Sequence, residues 1–264
     1  MFETALANVL AGKPVPAPAQ VEAPTQEAVR KAVTRKHVKT AVKSVVYTVL
    51  SLALVVGLCG YQQSYIVGGK GLPSNSADYA PENQPVNENS PLMGKNILWV
   101  GSSVVQGASA VQDSMVDYIG AMDQCNSIKE SVSGSTIAYQ DENSYAPRMM
   151  THTADENIDV VVIQLSTNDA GQGTEMGEIG DSFDMDDFDP NTTMGSLQIM
   201  LAYARETWDC PVLIFTVPSY GNERIAEGYG HLVDLTLEVA EKWDVDVLDL
   251  WYDEKFNDVD PEQW

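Results

Sequence analysis

The sequence predicts an α/β fold, a doubly wound sandwich in which helices cover both faces of a parallel sheet of five strands. The prediction depends on strand-like runs that stand apart along residues 95–264 and on amphipathic patterns between the later ones. The runs are Asn96–Val100, Ile128–Val132, Val160–Leu165, Val212–Val217 and Val245–Leu250. Strands that alternate with helices are joined by crossovers, which makes neighbouring strands parallel.

Two amphipathic helices are predicted between the last three runs. The first begins at a cap at Thr192 or Thr193. Its apolar face consists of Leu197, Leu201, Ala204 and Trp208. The apolar face of the second consists of Leu232, Leu235, Val239 and Trp243. Their spacing of three or four residues is that of one helix face turned toward a core.

Polar residues follow two of the apolar runs directly. The first run ends in a small-residue turn that presents Ser102 and Ser103, and the third ends just before Asn168 and Asp169. Open α/β sheets bind their ligands at the carboxyl ends of the strands. We therefore expect these groups at one edge of the sheet, where a hydroxyl and an amide favour acyl transfer.

Ser103 is the candidate nucleophile. A serine hydroxyl needs a base that takes its proton and donors that hold the oxyanion formed by attack on a carbonyl. The proposed donors are the backbone N–H of Ser103, the backbone N–H of Gly134 and the side chain of Asn168, each just past a predicted strand.

These segments carry a resemblance to a known family. Gly101-Ser102-Ser103 with Gly107, then Gly134, then Ser166-Thr167-Asn168-Asp169 resemble, in order and spacing, the first three conserved blocks of the SGNH (GDSL-type) hydrolases. The resemblance covers about residues 95–264 and implies a flavodoxin-like sheet with esterase, lipase or carbohydrate deacetylase activity. It also implies Ser103 as nucleophile, Gly134 and Asn168 in the oxyanion hole, and neither a metal nor an organic cofactor.

The sequence departs from that family at three places. Ser102 stands where the family has Asp, and Ser166 stands where it has Gly before the Asn. The third departure concerns the base, because the family's D-x-x-H block follows the last strand and no histidine follows His231 here. We therefore expect the chain as given to lack its catalytic histidine and to be impaired.

None of the three histidines in the sequence is well placed to act as the general base instead. His37 belongs to the basic N-terminal region, and His152 precedes the third strand, at the opposite end of the sheet from the site. His231 is near the start of a predicted helix, where it either faces the site or lies in solvent. The solvent-facing interpretation is favoured.

Charge divides the chain into two parts. Residues 1–43 contain seven Lys and Arg against three Glu, whereas residues 44–264 contain eight against thirty-five Asp and Glu. An acidic body repels phosphates, which argues against nucleic acid as a partner. A small-molecule or glycan ester is the ligand that the resemblance to the SGNH hydrolases implies.

A single membrane anchor is predicted before the α/β domain. Ser44–Tyr61 is an uncharged apolar run whose helical length, about 27 Å, nearly matches a bilayer core. The basic residues before it predict a cytoplasmic N-terminus and an extracytoplasmic domain. We expect a Pro-rich basic tail over 1–43, an anchor over 44–67, a flexible linker over 68–94 and the hydrolase-like domain over 95–264.

Two functions remain open at this stage. The first is a membrane-anchored serine esterase, with carbohydrate O-acetyl groups among its substrates, and the second is a tethered ester- or carbohydrate-binding domain that has lost its base.

Gly180-Asp181-Ser182 spells the first three residues of the motif after which the GDSL family is named, but it follows no apolar strand, so we interpret it as a turn. The acidic residues around it form no calcium-loop spacing and predict a solvated loop.

Overall fold

The computed structural model describes residues 68–219 and 223–257, together with a few helical positions between 27 and 51. The chain divides into two compact units, Met1–Gly60 and Tyr61–Trp264. Most of the predicted tail and of the predicted anchor over 44–67 lies outside the described residues. Among those that are described, no helix combines the length and the apolar character needed to span a membrane.

The second unit contains a parallel sheet of five strands in its described residues. The strands are Asn96–Gly101 (β1), Asn126–Ser131 (β2), Val160–Gln164 (β3), Val212–Phe215 (β4) and Asp246–Leu248 (β5). Their spatial order is β2-β1-β3-β4-β5, with every neighbouring pair parallel. This is the flavodoxin-like strand order, so the predicted fold class is confirmed.

Helices lie on both faces of this sheet. They are Ser103–Gln106 (α1), Met115–Asp123 (α2), Tyr145–Met149 (α3), Thr167–Gln172 (α4), Thr193–Thr207 (α5), Glu223–Trp243 (α6) and Glu254–Asn257 (α7). Side chains of β1 alternate between two cores, as a strand requires. Leu98 and Val100 pack with residues of α3, α5 and α6, whereas Ile97 and Trp99 pack with residues of α1 and α2.

Several predicted boundaries shift by a few residues. β5 is only three residues long because it pairs with β4 over Leu213–Phe215 alone. β4 ends at Phe215, and the hydroxyl of the next residue, Thr216, accepts from the backbone N–H groups of Leu250 and Trp251 at 2.8 and 2.9 Å. Of the two caps predicted for α5, Thr192 is the one that binds a helix N–H, that of Gly195, at 3.1 Å.

The segment over 68–94, expected to be a flexible linker, packs on the domain. It forms three short 3-10 helices, Pro73–Asn75, Ala77–Tyr79 and Pro81–Asn83. The Tyr118 hydroxyl donates to the Tyr79 carbonyl at 2.5 Å, and the Asn87 N–H donates to the Met122 carbonyl at 2.7 Å. These contacts with α2 satisfy backbone groups that a free linker would leave to water, so the segment forms part of the domain surface.

The segment containing Gly180-Asp181-Ser182 is a surface loop on the helical face, away from the strand ends. Lys242 of α6 donates hydrogen bonds to the carbonyl oxygens of Gly180 and Ser182 and to Oε1 of Gln198. Among the residues that the structure describes, no cluster of acidic, His or Cys side chains is arranged to hold a metal ion. Cys125 and Cys210 are both free thiols.

Candidate active site

The predicted turns at Ser103, Gly134 and Asn168 follow three neighbouring strands, β1, β2 and β3, whose carboxyl ends lie side by side. β1 lies between β2 and β3, with Gly101 beside Ser131 and Val100 beside Ile163. Because the strands are parallel and end together, the residues that follow them meet at one edge of the sheet. The turn at Ser102 and Ser103, called here the nucleophile turn after its candidate role, is therefore adjacent to the Gly134 turn and the Asn168 turn.

The nucleophile turn is fixed by a side chain from the neighbouring strand. Oε1 of Gln164, the last residue of β3, accepts from the N–H groups of Ser102 and Val105 at 3.0 and 3.3 Å. Its Nε2 donates to Oγ of Ser102 at 3.2 Å. Ser102 is fully buried in this arrangement, and it supports the turn where the family has Asp. Gly101 leaves room for the turn, since a Cβ there would lie 2.3 Å from a methyl of Val105.

Ser103 is the first residue of α1 and is partly exposed. Within residues 68–219 and 223–257, no group forms a hydrogen bond with its hydroxyl. The hydroxyl is therefore accessible to a substrate, and the described part of the chain provides no base in contact with it.

The Gly134 turn is open toward solvent. Gly134 has a φ of +84°, a left-handed conformation that favours glycine, and a Cβ there would meet nothing within 4 Å. The turn is tied to α1, because Oε1 of Gln106 accepts from both the N–H and the hydroxyl of Ser133, at 2.8 and 2.5 Å. The Gly134 turn is thus tied to α1 about one helical turn after Ser103, the candidate nucleophile.

Asn168 lies in the first turn of α4. Its backbone N–H donates to Oγ of Ser166 at 3.1 Å, so Ser166 caps this helix where the family has Gly. Its Nδ2 donates to the carbonyl of Ser135 at 2.8 Å. A carboxamide has two donor hydrogens, and this bond occupies one of them. The other is available for an oxyanion.

Asp169 is buried and anchors the loop after Gly134. Its carboxylate accepts from the N–H groups of Ile137 and Ala138 at 2.8 and 3.0 Å and from the hydroxyl of Thr193 at 3.0 Å. Burial raises the pKa of Asp169, and these donors limit the rise. Because its oxygens are occupied by these bonds, Asp169 has a structural role.

The described histidines both lie away from Ser103. His152 places Nδ1 at 2.7 Å from Glu156 and Nε2 at 3.2 Å from Glu130. His231 is exposed on α6. Two residues earlier, the Tyr229 hydroxyl donates to the carbonyl of Leu165 at the strand ends. Two residues correspond to about 200° around a helix, so the side chain of His231 points away from the strand ends that Tyr229 contacts. His37 lies outside the described residues.

The chain after β5 stays at the same edge of the sheet. Oδ1 of Asn257, in α7, accepts from the N–H and the hydroxyl of Ser219, both at 2.8 Å. Ser219 follows β4 by four residues. The segment that follows the last strand is therefore held beside the strand ends, on the side of β4.

Comparison with known proteins supports the fold. No protein-family model matches the sequence, and no curated protein is significantly similar to it. A solved structure from Lactobacillus plantarum is similar with a TM-score of 0.53 and 20% identity, over 65% of this chain and 84% of that chain. Its likeness, at this identity, shows a shared fold. The shared fold is the α/β sandwich with a parallel five-stranded sheet described above.

Other solved structures are similar to this chain at TM-scores below 0.5. One, from Desulfitobacterium hafniense, is assigned to the G-D-S-L family of lipolytic proteins, with a TM-score of 0.45 and 15% identity over 59% of this chain and 77% of that chain. Another is a carbohydrate acetylesterase family member from Sinorhizobium meliloti, with a TM-score of 0.42 and 17% identity over 59% and 82%.

Sequence reasoning missed three supporting side chains, Gln164, Ser135 and Arg148. Gln164 lies within the predicted strand Val160–Leu165, and a polar residue in an otherwise apolar buried run is a signal that could have pointed to it. Arg148 lies in a segment without strong periodicity, where no comparable signal exists.

Proposed function

We propose that residues 95–264 form an SGNH-type serine esterase that removes acyl groups, with carbohydrate O-acetyl esters among its substrates. The observation that carries the proposal is the set of links between the three turns. Gln106 of α1 binds Ser133, and Asn168 binds Ser135, so the nucleophile turn and both oxyanion turns form one connected site. Such a set of one nucleophile and convergent donors is what acyl transfer requires.

In the proposed reaction, a general base takes the proton of the Ser103 hydroxyl as its oxygen attacks the ester carbonyl. The ester C–O bond then breaks, the alcohol leaves with that proton, and water hydrolyses the acyl-enzyme to release the acid and free Ser103. The oxyanion is held by the N–H groups of Ser103 and Gly134 and by the free hydrogen of the Asn168 amide. Each donor of this kind is typically worth about 3–4 kcal/mol in the transition state. The resemblance implies a general base in the segment after β5. Residues 249–257, which follow β5, lie at the same edge of the sheet as Ser103 but contain no histidine. The chemistry uses no metal or organic cofactor.

Fluorophosphonate labelling and p-nitrophenyl acetate hydrolysis test the nucleophile. We expect the 264-residue chain to react weakly or not at all alone, and imidazole to raise its rate by supplying the base. Ser103→Ala should abolish labelling and lower hydrolysis to the rate of imidazole without protein, whereas Ser109→Ala, an exposed serine in the following loop, should keep both signals. Labelling that persists in Ser103→Ala would refute Ser103 as the nucleophile.

The second candidate function is a binding domain without catalysis. It is favoured by the lack of a hydrogen-bond partner for the Ser103 hydroxyl in the described part of the chain. An inactive binding domain should retain an ester or acetylated glycan in a binding assay but show no turnover with imidazole. Ser103-dependent turnover with imidazole would instead favour the esterase.

We further propose that residues 44–67 anchor the domain to a membrane, with the N-terminus in the cytoplasm. The support is the uncharged apolar run over 44–61 and the six Lys and Arg residues between 30 and 43. The full chain should remain in the membrane pellet after carbonate extraction, and deletion of 44–67 should release it. Quantitative release of the full chain would exclude the anchor.

A further inference from the structure

Arg148 is a buried charge that contacts two of the three turns. It lies in α3 and is 8% exposed. Its Nη2 donates to the carbonyl of Gly101 at 2.9 Å and to the hydroxyl of Ser135 at 3.3 Å. Gly101 is two residues before Ser103, and Ser135 follows Gly134. One guanidinium therefore joins the nucleophile turn to the oxyanion turn.

The contacts of Arg148 extend indirectly to the third turn. The carbonyl of Ser135 accepts from Nδ2 of Asn168 at 2.8 Å, and its hydroxyl binds Arg148. Ser135 is thus the residue through which the Asn168 amide and the guanidinium are connected. A displacement of Arg148 would move the Gly134 turn relative to Ser103 and also change the acceptor that orients Asn168.

The guanidinium of Arg148 is buried near the carboxylate of Glu130 and the ring of Tyr145. Burial lowers the pKa of Arg148, while the carboxylate of Glu130, 3.7 Å from Nη1, raises it, and arginine remains charged in proteins. The guanidinium also lies 5.4 Å from the ring centroid of Tyr145. A buried ion pair is weak evidence for stability, because desolvation offsets the attraction. A positional role explains the buried charge better.

We propose that Arg148 is a positioning residue, which sets the separation between Ser103 and the oxyanion donors. The proposal rests on the esterase function proposed above. Arginine suits this role because its planar fork reaches several acceptors in fixed directions. Nε donates to the carbonyl of Asn143 at 2.8 Å while Nη2 serves Gly101 and Ser135. A lysine ammonium is a single point charge and would keep only part of this geometry.

The test compares Arg148→Met and Arg148→Lys with Arg205→Met as a matched control. Arg205 also donates to a backbone carbonyl, that of Phe183, but on α5 and outside the site. Kinetics on p-nitrophenyl acetate with imidazole are combined with amide hydrogen exchange over 101–107, 132–137 and α3. In Arg148→Met we expect kcat to fall about 100-fold with KM little changed, since small misplacements of reacting groups have effects of this size.

In Arg148→Met, amide hydrogen exchange should become faster in both the nucleophile turn and the Gly134 turn. Arg148→Lys should partly restore kcat and the protection of these amides from exchange. Arg205→Met should match the wild type in both measurements. Unchanged kcat and exchange, or faster exchange confined to α3, would overturn the positioning role. If Arg148→Met does not fold, the comparison between wild type and Arg148→Lys decides. If the wild type shows no turnover, the esterase proposal fails, whereas the exchange data still decide whether Arg148 couples the turns.

Discussion

Replacing Asn168 by alanine is expected to lower the rate of Ser103 acylation about 100- to 1,000-fold, measured with p-nitrophenyl acetate and imidazole. The substitution removes the proposed side-chain donor to the oxyanion and also the bond to the Ser135 carbonyl at 2.8 Å. The effect should fall on kcat, because the oxyanion exists only in the transition state and the intermediate.

Gln172→Ala provides the matched control for Asn168→Ala. Gln172 also belongs to α4, and its Nε2 donates to the carbonyl of Gly134 at 3.0 Å, so both variants remove one amide donor directed at the same loop. The carbonyl of Gly134 is not an oxyanion donor, and we expect a much smaller loss. Equal losses in the two variants would show that the amide of Asn168 acts through loop structure alone.

Asp169→Ala is expected to destabilise the domain by about 3–5 kcal/mol, measured by urea denaturation. The carboxylate accepts from the N–H groups of Ile137 and Ala138 and from the hydroxyls of Thr193 and Thr174. Removing it leaves the two buried N–H groups without their acceptor, whereas the Thr193 hydroxyl keeps its contact with the Thr174 hydroxyl at 3.0 Å. Each unsatisfied buried donor costs about 1–3 kcal/mol.

Asp186→Ala is the control for this loss of stability. Asp186 is exposed in the acidic loop, and removal of an exposed carboxylate usually changes stability by no more than about 0.5 kcal/mol. A loss below about 1 kcal/mol for Asp169→Ala would contradict the anchoring of 137–138 by this side chain. Asp169 would then be free for another role at the site.

The two mild departures from the family have local explanations in the fold. Ser102 stands in place of Asp, and its hydroxyl receives a hydrogen bond from Gln164 rather than carrying a buried charge. Ser166 stands in place of Gly, and its hydroxyl caps α4 by accepting from the N–H of Asn168. Both serines therefore support a turn through these hydrogen bonds.

The sequence by itself determined the architecture and the identity of the candidate reacting groups. Strand and helix signals depend on local periodicity, so five parallel strands and the amphipathic helices α5 and α6 could be predicted. The turns at Ser103, Gly134 and Asn168 could be predicted as neighbours because parallel strands end at one edge.

Tertiary structure alone decided what holds those groups in place. Gln164 and Arg148 are 62 and 47 residues from Ser102 and Gly101, the residues they bind. The segment over 68–94, Gly- and Pro-rich in sequence, is ordered by contacts with α2. Local patterns contain no information on such long-range partners, because a side chain finds them only when the packed sheet brings distant segments together.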